Sequence, residues 1–137
     1  MRQDRRSTCP ISTALELVGD RWTLLLIRDL MFAGKRHFRE FLQSEEAISS
    51  NILADRLNAL VVNGIVTKEG DPTHAQKAVY SLTAKGIELL PVLVAMSEWT
   101  QKHHPETRRP EAVQLVKSGE AGLKQIRTQL RREHGVR

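Results

Sequence analysis

Residues 48–66, ISSNILADRLNALVVNGIV, decide the fold of this chain. A helical projection at about 100° per residue places Leu53, Leu57 and Leu60 on one side. The opposite side is short and polar, and it carries Asn51, Ala54, Asp55 and Asn58. Ser49 is a residue type that favours the N-cap. The stretch therefore predicts an amphipathic helix with one buried seam and one uncrowded polar face.

Three helical segments precede this stretch. ISTALELVG follows Pro10 and is interrupted by Gly19, and Asp20 is the predicted N-cap of the next helix, RWTLLLIRDLMF. HFREFLQSE, residues 37–45, is the third predicted helix, and EEA forms a tight turn before Ile48.

The periodicity changes after Gly64. IVTKE and KAVYSL are β-rich runs joined by the polar segment GDPTHAQ, which predicts a hairpin. Thr83 is then expected to cap one long amphipathic helix that runs past Trp99 and ends at residues 103–105. A tight turn between two helices and a hairpin after the second one are typical of a winged helix-turn-helix. The predicted fold class is therefore mainly α with a small β-hairpin wing, α+β.

The polar face of the predicted helix carries groups that can read DNA bases. Asn pairs with adenine through two hydrogen bonds, and Ser bonds either class of base edge, so Ser50, Asn51 and Asn58 are the predicted base-reading residues. A solvated helix surface is the alternative interpretation. Asp55 counts against DNA binding unless it meets a cytosine or pairs with Arg56.

Other polar groups are candidates for contacts with the DNA backbone or for a place on the wing. Routine surface charge is the alternative for each of them. The predicted set is Lys35, Arg36, Arg39, Ser49, Arg56, Lys68, Thr73, His74, Gln76 and Lys77.

Composition narrows the class of protein. The formal charge of +5 lies mainly in the tail, since residues 105–137 carry eight Lys/Arg and four Asp/Glu while residues 1–104 carry thirteen and twelve. No apolar run approaches the roughly 18 residues of a membrane span, and a single cysteine fits a reducing cytoplasm. No glycine-rich phosphate loop or metal-binding motif is present, so we expect neither an enzyme nor a metal or cofactor.

Several motifs occur in the order of a known family: CP, LELVGDRWTLLLIRDL, GKRHFREF, IS-x-x-x-L-x-x-RL, NGIV and YSLT-x-x-G. From Cys9 to about Trp99 the chain resembles the HxlR-type winged helix-turn-helix transcriptional regulators, relatives of the MarR group. The resemblance implies a cytoplasmic homodimer that binds a palindromic double-stranded DNA operator. We expect no membrane partner, and the sequence does not identify a small-molecule effector. It also implies dimerisation through the N-terminal and long C-terminal helices, at Ile11, Leu15, Leu93, Met96 and Trp99.

The chain departs from the family pattern at two positions. His37 stands where the family commonly has Arg, and Asn51 stands where it often has Lys or Arg. Both changes remove cationic contacts to DNA, which puts the operator sequence in doubt. A winged-helix module that binds protein instead of DNA is therefore the alternative function.

Cys9 matches the N-terminal cysteine that some family members use to sense oxidants or electrophiles. A helix N-terminus favours a thiolate, and a single cysteine would require an intersubunit disulfide or a mixed disulfide with a small thiol. A small packing residue at the dimer interface is the alternative.

The predicted domain division places a winged helix-turn-helix DNA-binding and dimerisation domain at residues 1–104. A basic helical extension follows at residues 105–137. Its one or two helices break near Ser118 and Gly119, and their apolar stripe is expected to pack on the partner subunit or dimer base.

Overall fold

The computed structural model describes residues 6–71 and 74–137, with side chains for all of these except residues 71 and 74–76. The chain divides into two compact units at the Thr83–Ala84 bond. Within the described residues, no helix combines the length and hydropathy that a membrane span requires.

The first unit contains four helices followed by an antiparallel hairpin, which confirms the predicted order of elements. The elements are α1 (Pro10–Val18), α2 (Thr23–Phe32), α3 (Phe38–Phe41), α4 (Ser50–Val62), β1 (Val66–Asp71) and β2 (His74–Leu82). The predicted α+β class, mainly helical with a β-hairpin wing, is the observed one.

The core of this unit is aliphatic. The predicted seam of α4 is buried, with Leu53, Leu57 and Leu60 no more than 1% exposed. Two of the few aromatic residues join the core, since the Phe41 ring meets the Tyr80 ring edge-on at 6.2 Å between centroids. These contacts bring α3, α4 and the wing to one core.

Helix α3 is shorter than the predicted segment 37–45. Beyond Phe41 the chain tightens, because Gln43 N–H donates to the Glu40 carbonyl at 3.1 Å, a spacing of three residues rather than four. Ala47 then adopts a positive φ of 59°, which turns the chain toward α4. The helix prediction was therefore wrong beyond Phe41.

The wing strands extend closer to the tip than IVTKE and KAVYSL indicated. Val66 pairs with Leu82, and regular pairing continues to Gly70 and Ala78. The register then shifts, so that Asp71 pairs with His74. At the base of the hairpin, the Thr83 hydroxyl lies 2.6 Å from the Gly64 carbonyl oxygen.

The second unit is entirely helical among the described residues. It contains α5 (Ala84–Ile87), α6 (Leu90–His103), a short 3₁₀ turn (Pro105–Thr107), α7 (Pro110–Lys117) and α8 (Gly119–Glu133). The single long helix predicted after Thr83 was wrong, because it is broken at residues 88–89. Pro91 has no N–H group for the carbonyl of Ile87, so α6 starts afresh with this proline in its first turn.

The tail packs on its own chain. The break between α7 and α8 is confirmed at Gly119, whose φ of +59° suits glycine. Leu123 and Leu130 are buried, since α8 packs against α5, α6 and α7 within this unit. These two leucines are therefore covered by their own unit, and the expected packing of the stripe on the partner subunit or dimer base stays a prediction. The compact units also divide after Thr83, whereas the functional division at 104/105 stays a prediction.

Candidate nucleic-acid interface

The polar side of α4 is exposed, as the sequence predicted. Ser50, Asn51 and Asn58 face solvent, opposite the buried leucines. Ser49 caps the helix, since its hydroxyl accepts a hydrogen bond from Ile52 N–H at 3.3 Å. The structure thus presents the three predicted base-reading residues together on one helix, and their contact with bases stays a prediction.

Arg56 joins two carboxylates beside this face. Its Nε donates to Asp20 Oδ2 at 2.9 Å, and its Nη1 donates to Asp55 Oδ2 at 2.6 Å. The pairing of Asp55 with Arg56 is one of the two conditions under which an acidic residue on this face stays compatible with DNA; contact with a cytosine is the other. Arg56 therefore has partners within the chain, and its predicted phosphate contact stays a prediction.

Asp20 anchors this arrangement at the start of α2. Its carboxylate accepts hydrogen bonds from Trp22 N–H and Thr23 N–H, each at 3.0 Å. Partial burial raises the pKa of Asp20, but hydrogen bonds from the Thr23 hydroxyl and from these N–H groups lower it further than burial raises it. The Arg56 charge adds to the lowering of this pKa. The N-cap prediction for Asp20 was wrong by two residues, because Trp22 is the N-cap of α2. The Asp20 carboxylate still accepts from the first N–H groups of α2 and also bonds Arg56 of α4.

Two of the three predicted phosphate contacts near α3 have partners inside the protein. Arg36 Nε donates to the Tyr80 carbonyl at 2.7 Å, and Lys35 Nζ lies 3.0 Å from Ser44 Oγ. Arg39 is exposed, and no described residue bonds its guanidinium. The structure therefore gives Lys35 and Arg36 structural contacts, while their roles toward DNA stay predictions.

His37 has a local role at the position where the family commonly has Arg. Glu40 Oε1 accepts from His37 N–H at 2.9 Å and lies 2.8 Å from His37 Nδ1. The same oxygen accepts from Arg36 N–H at 3.0 Å, and this bond is the main reason that the pKa of Glu40 is lowered. Where the family commonly has an arginine, this chain therefore has a histidine whose hydrogen bonds go to Glu40 at the start of α3.

A groove of about 510 Å³ lies between α4 and the wing. Its lining is mixed, with apolar residues between polar groups that come from both sides. Asn58 belongs to the α4 wall, and Lys68 and Lys77 belong to the wing wall and are exposed. Thr73 and the side chains of His74 and Gln76 lie outside the described part, so those predictions stay open.

Asp29 was missed by the sequence reasoning. Its side chain is 5% exposed and lies 3.3 Å from Lys35 Nζ, while it accepts from Ser44 Oγ at 2.5 Å and Arg28 Nε at 3.0 Å. This cluster ties α2 to the turn before α4. An acidic residue at helical spacing within the apolar run LLLIRDLMF was the signal that could have revealed it.

The predicted dimerisation residues are apolar and mostly exposed. On α1, Ile11 is 71% exposed and Leu15 is also exposed. On α6, Met96 and Trp99 are exposed and Leu93 is half-buried. Each helix thus carries an apolar surface that is largely exposed to solvent. Contact of these surfaces with a partner subunit stays a prediction.

Cys9 occupies the N-cap position of α1 and is exposed. Its N–H donates to Ser7 Oγ at 3.2 Å, and its carbonyl accepts from Thr13 N–H at 3.0 Å. The backbone around the thiol is therefore fixed by the start of the helix, while the side chain faces solvent.

Comparison with known proteins matches this arrangement to a family. The HxlR-like helix-turn-helix model matches residues 17–108. An HTH-type transcriptional regulator of Synechocystis sp. is 34% identical over 102 residues, which are 72% of this chain and 75% of that protein. The HTH-type transcriptional regulator YodB of Bacillus subtilis is 38% identical over 95 residues, which are 69% of this chain and 84% of that protein.

Solved structures show the same fold. The reduced form of YodB from B. subtilis superposes with a TM-score of 0.59 and 32% identity, covering 74% of this chain and 100% of that one. The redox regulator HypR in its reduced form superposes with a TM-score of 0.60 and 32% identity, covering 69% of this chain and 92% of that one. With its winged helix-turn-helix and these relatives, the chain belongs to the HxlR-like helix-turn-helix family of transcriptional regulators.

Proposed function

We propose that this regulator binds a palindromic double-stranded DNA operator as a homodimer, with α4 in the major groove and the wing on the adjacent backbone or minor groove. The single observation that carries the proposal is the exposed face of Ser50, Asn51 and Asn58 beside the wing. Helices of this type present short polar side chains to base edges in the major groove. The proposed role is that of a repressor, since occupancy of an operator excludes other proteins from it.

Cations around this face supply the affinity that does not depend on sequence. Lys68 and Lys77 stand on the wing side of the groove, and Arg39 is exposed at α3. Each lysine or arginine that neutralises a phosphate releases counterions, which makes binding depend on salt. The remaining proposed contributors to backbone or wing contacts are Lys35, Arg36, Ser49, Arg56, Thr73, His74 and Gln76.

The proposed dimer uses the apolar surfaces of α1 and α6. Ile11 and Leu15 on α1, and Met96 and Trp99 on α6, are large side chains that lose contact with water when a second copy covers them. Two copies related by a two-fold axis present two α4 helices, which matches a palindromic operator.

A mobility-shift experiment across a salt series tests this function against its alternative, a winged-helix module for protein contacts. Genomic fragments are incubated with the full chain at about 50 to 200 mM salt, and retained fragments are sequenced. The proposal predicts that a recurring palindrome is retained and that its affinity falls steeply with salt. Retention of no specific fragment at any salt would favour the protein-interaction module.

Oxidant response through Cys9 is a second proposal, favoured by the exposed thiol at the start of α1 and by the similarity to HypR, which is described as a redox regulator. In the proposed step, two thiols from two copies, or one thiol and a small thiol, lose two protons and two electrons. Diamide accepts them and becomes a hydrazine, and a disulfide bond forms.

A matched pair of proteins tests the Cys9 proposal. Wild type treated with diamide should release its operator and show a disulfide by mass spectrometry, and a reducing thiol should restore binding. Cys9→Ser should stay bound under the same treatment. Equal loss of operator by both proteins would remove Cys9 from the response.

A further inference from the structure

Asp55 lies in the middle of the face proposed to read DNA. It follows Asn51 by four residues and precedes Asn58 by three, so all three share one side of α4. Its side chain is 69% exposed, and the helix around it is held by the buried seam. Phosphates repel an acidic group at this position. A hydrogen bond from a base would offset that repulsion.

The Asp55 carboxylate is oriented by one hydrogen bond, from the neighbouring Arg56. Arg56 Nη1 donates to one of its oxygens, Oδ2, at 2.6 Å, while Arg56 Nε is held by Asp20 at 2.9 Å. Asp20 is in turn fastened to the start of α2 by the N–H groups of Trp22 and Thr23. A planar guanidinium with two of its N–H groups engaged has little freedom to rotate. The other carboxylate oxygen, Oδ1, accepts no hydrogen bond from the described residues.

We infer that Asp55 is a base-specificity residue that accepts a hydrogen bond from the N4 amino group of a cytosine in each operator half-site. In the major groove, cytosine offers the amino donor N4, whereas guanine offers only the acceptors O6 and N7 and thymine offers the acceptor O4. Adenine also offers an amino donor, N6, but it lies beside the acceptor N7, which repels a carboxylate. A carboxylate therefore favours cytosine. Arg56 and Asp20 are positioning residues that set the direction of the acceptor and offset part of its charge.

This inference rests on the proposed function, because it requires that α4 enters the major groove. It goes further in naming a base and a group that reads it. It also explains why an acidic side chain occupies a surface that meets a polyanion.

The test uses the full chain. The wild-type protein is incubated with a pool of randomised DNA duplexes, and the bound duplexes are sequenced to identify its operator. Affinities are then measured for duplexes that carry each of the four bases at every half-site position. Wild type should prefer cytosine at one position by about 5- to 150-fold. Asp55→Ala should lose this preference while other positions keep theirs. Asp55→Asn should shift the preference toward adenine, since an amide bonds both N6 and N7 of that base.

Arg56→Lys tests the positioning role. Lysine keeps the charge but cannot bond both carboxylates with one planar fork, so the cytosine preference should weaken at the same position. Asn58→Ala is the control, and it should change a different position. A cytosine preference that is unchanged in Asp55→Ala would overturn the inference, and one unchanged in Arg56→Lys would overturn the positioning role. Failure of wild type to select any sequence would instead contradict the proposed function itself.

Discussion

Arg36 is bonded to the backbone of Tyr80, 44 residues further along the chain. Arg36 Nε donates to the Tyr80 carbonyl at 2.7 Å, and Tyr80 N–H donates back to the Arg36 carbonyl at 2.8 Å. Arg36 Nη2 also lies 2.5 Å from Ser81 Oγ. The segment before α3 is therefore tied to the second strand of the wing.

Arg36→Ala should destabilise the protein by about 1–3 kcal/mol, because acceptors on β2 lose a charged donor. Chemical denaturation measures the free energy of unfolding. Arg39→Ala is the matched control: this arginine is exposed, so its replacement should change stability by no more than about 0.5 kcal/mol. Equal stability of the two variants would show that the link to the wing contributes nothing.

Asp29→Ala should cost about 3 kcal/mol or more. The carboxylate is buried, and its removal leaves the Ser44 hydroxyl without its acceptor and Lys35 Nζ without its charged partner. The melting temperature and the denaturant midpoint both report the loss. Glu98→Ala, at an exposed position on α6, should leave both nearly unchanged. A loss below about 1 kcal/mol would mean that water satisfies the cluster as well as Asp29 does.

Glu46 should make stability depend on pH in the acidic range. The Arg28 guanidinium donates two hydrogen bonds to its carboxylate, at 2.8 and 2.9 Å, and lowers the pKa of Glu46 to about 2. Since the folded pKa lies below the ordinary value of 4.5, the stabilisation is present above about pH 4.5 and is lost as the pH falls toward 2. Because both side chains are about one-third exposed, we expect no more than about 1 kcal/mol.

The measurement compares the free energy of unfolding of wild type and Glu46→Gln from pH 6 to pH 2. The difference between the two proteins should shrink as the pH falls. A difference that stays constant over this range would show that the Arg28–Glu46 pair does not stabilise the fold through its charge.

The sequence predicted those parts of the fold that depend on periodicity and local turn chemistry. The leucine seam of α4, its Ser49 cap and the hairpin after Gly64 all follow from residues close together in the chain. The end of α3 at Phe41 was not predictable in this way, because the turn that follows depends on Ala47 with a positive φ. The break before α6 did have a local signal in Pro91, which the apolar periodicity of the segment masked.

The candidate site was predicted only in part, for a physical reason. The exposure of Ser50, Asn51 and Asn58 follows from helical periodicity, which can be read from a single sequence. Tyr80, which Arg36 bonds, lies 44 residues away, and Asp20, one of the two partners of Arg56, lies 36 residues away. Nothing local therefore distinguishes a cation that binds the wing or Asp20 from one that binds phosphate. Arg39 has the same residue type and remains exposed.

Asn51→Ala tests the central claim most directly. Asn51 is exposed near the start of α4, so its truncation should not disturb the buried seam. The measurement is the dissociation constant for the selected operator and for an unrelated duplex of equal length, at one salt concentration. The account predicts that operator binding weakens by about 1–3 kcal/mol while binding to the unrelated duplex stays nearly unchanged. Equal weakening on both duplexes would contradict it, because this face would then position the helix without reading sequence.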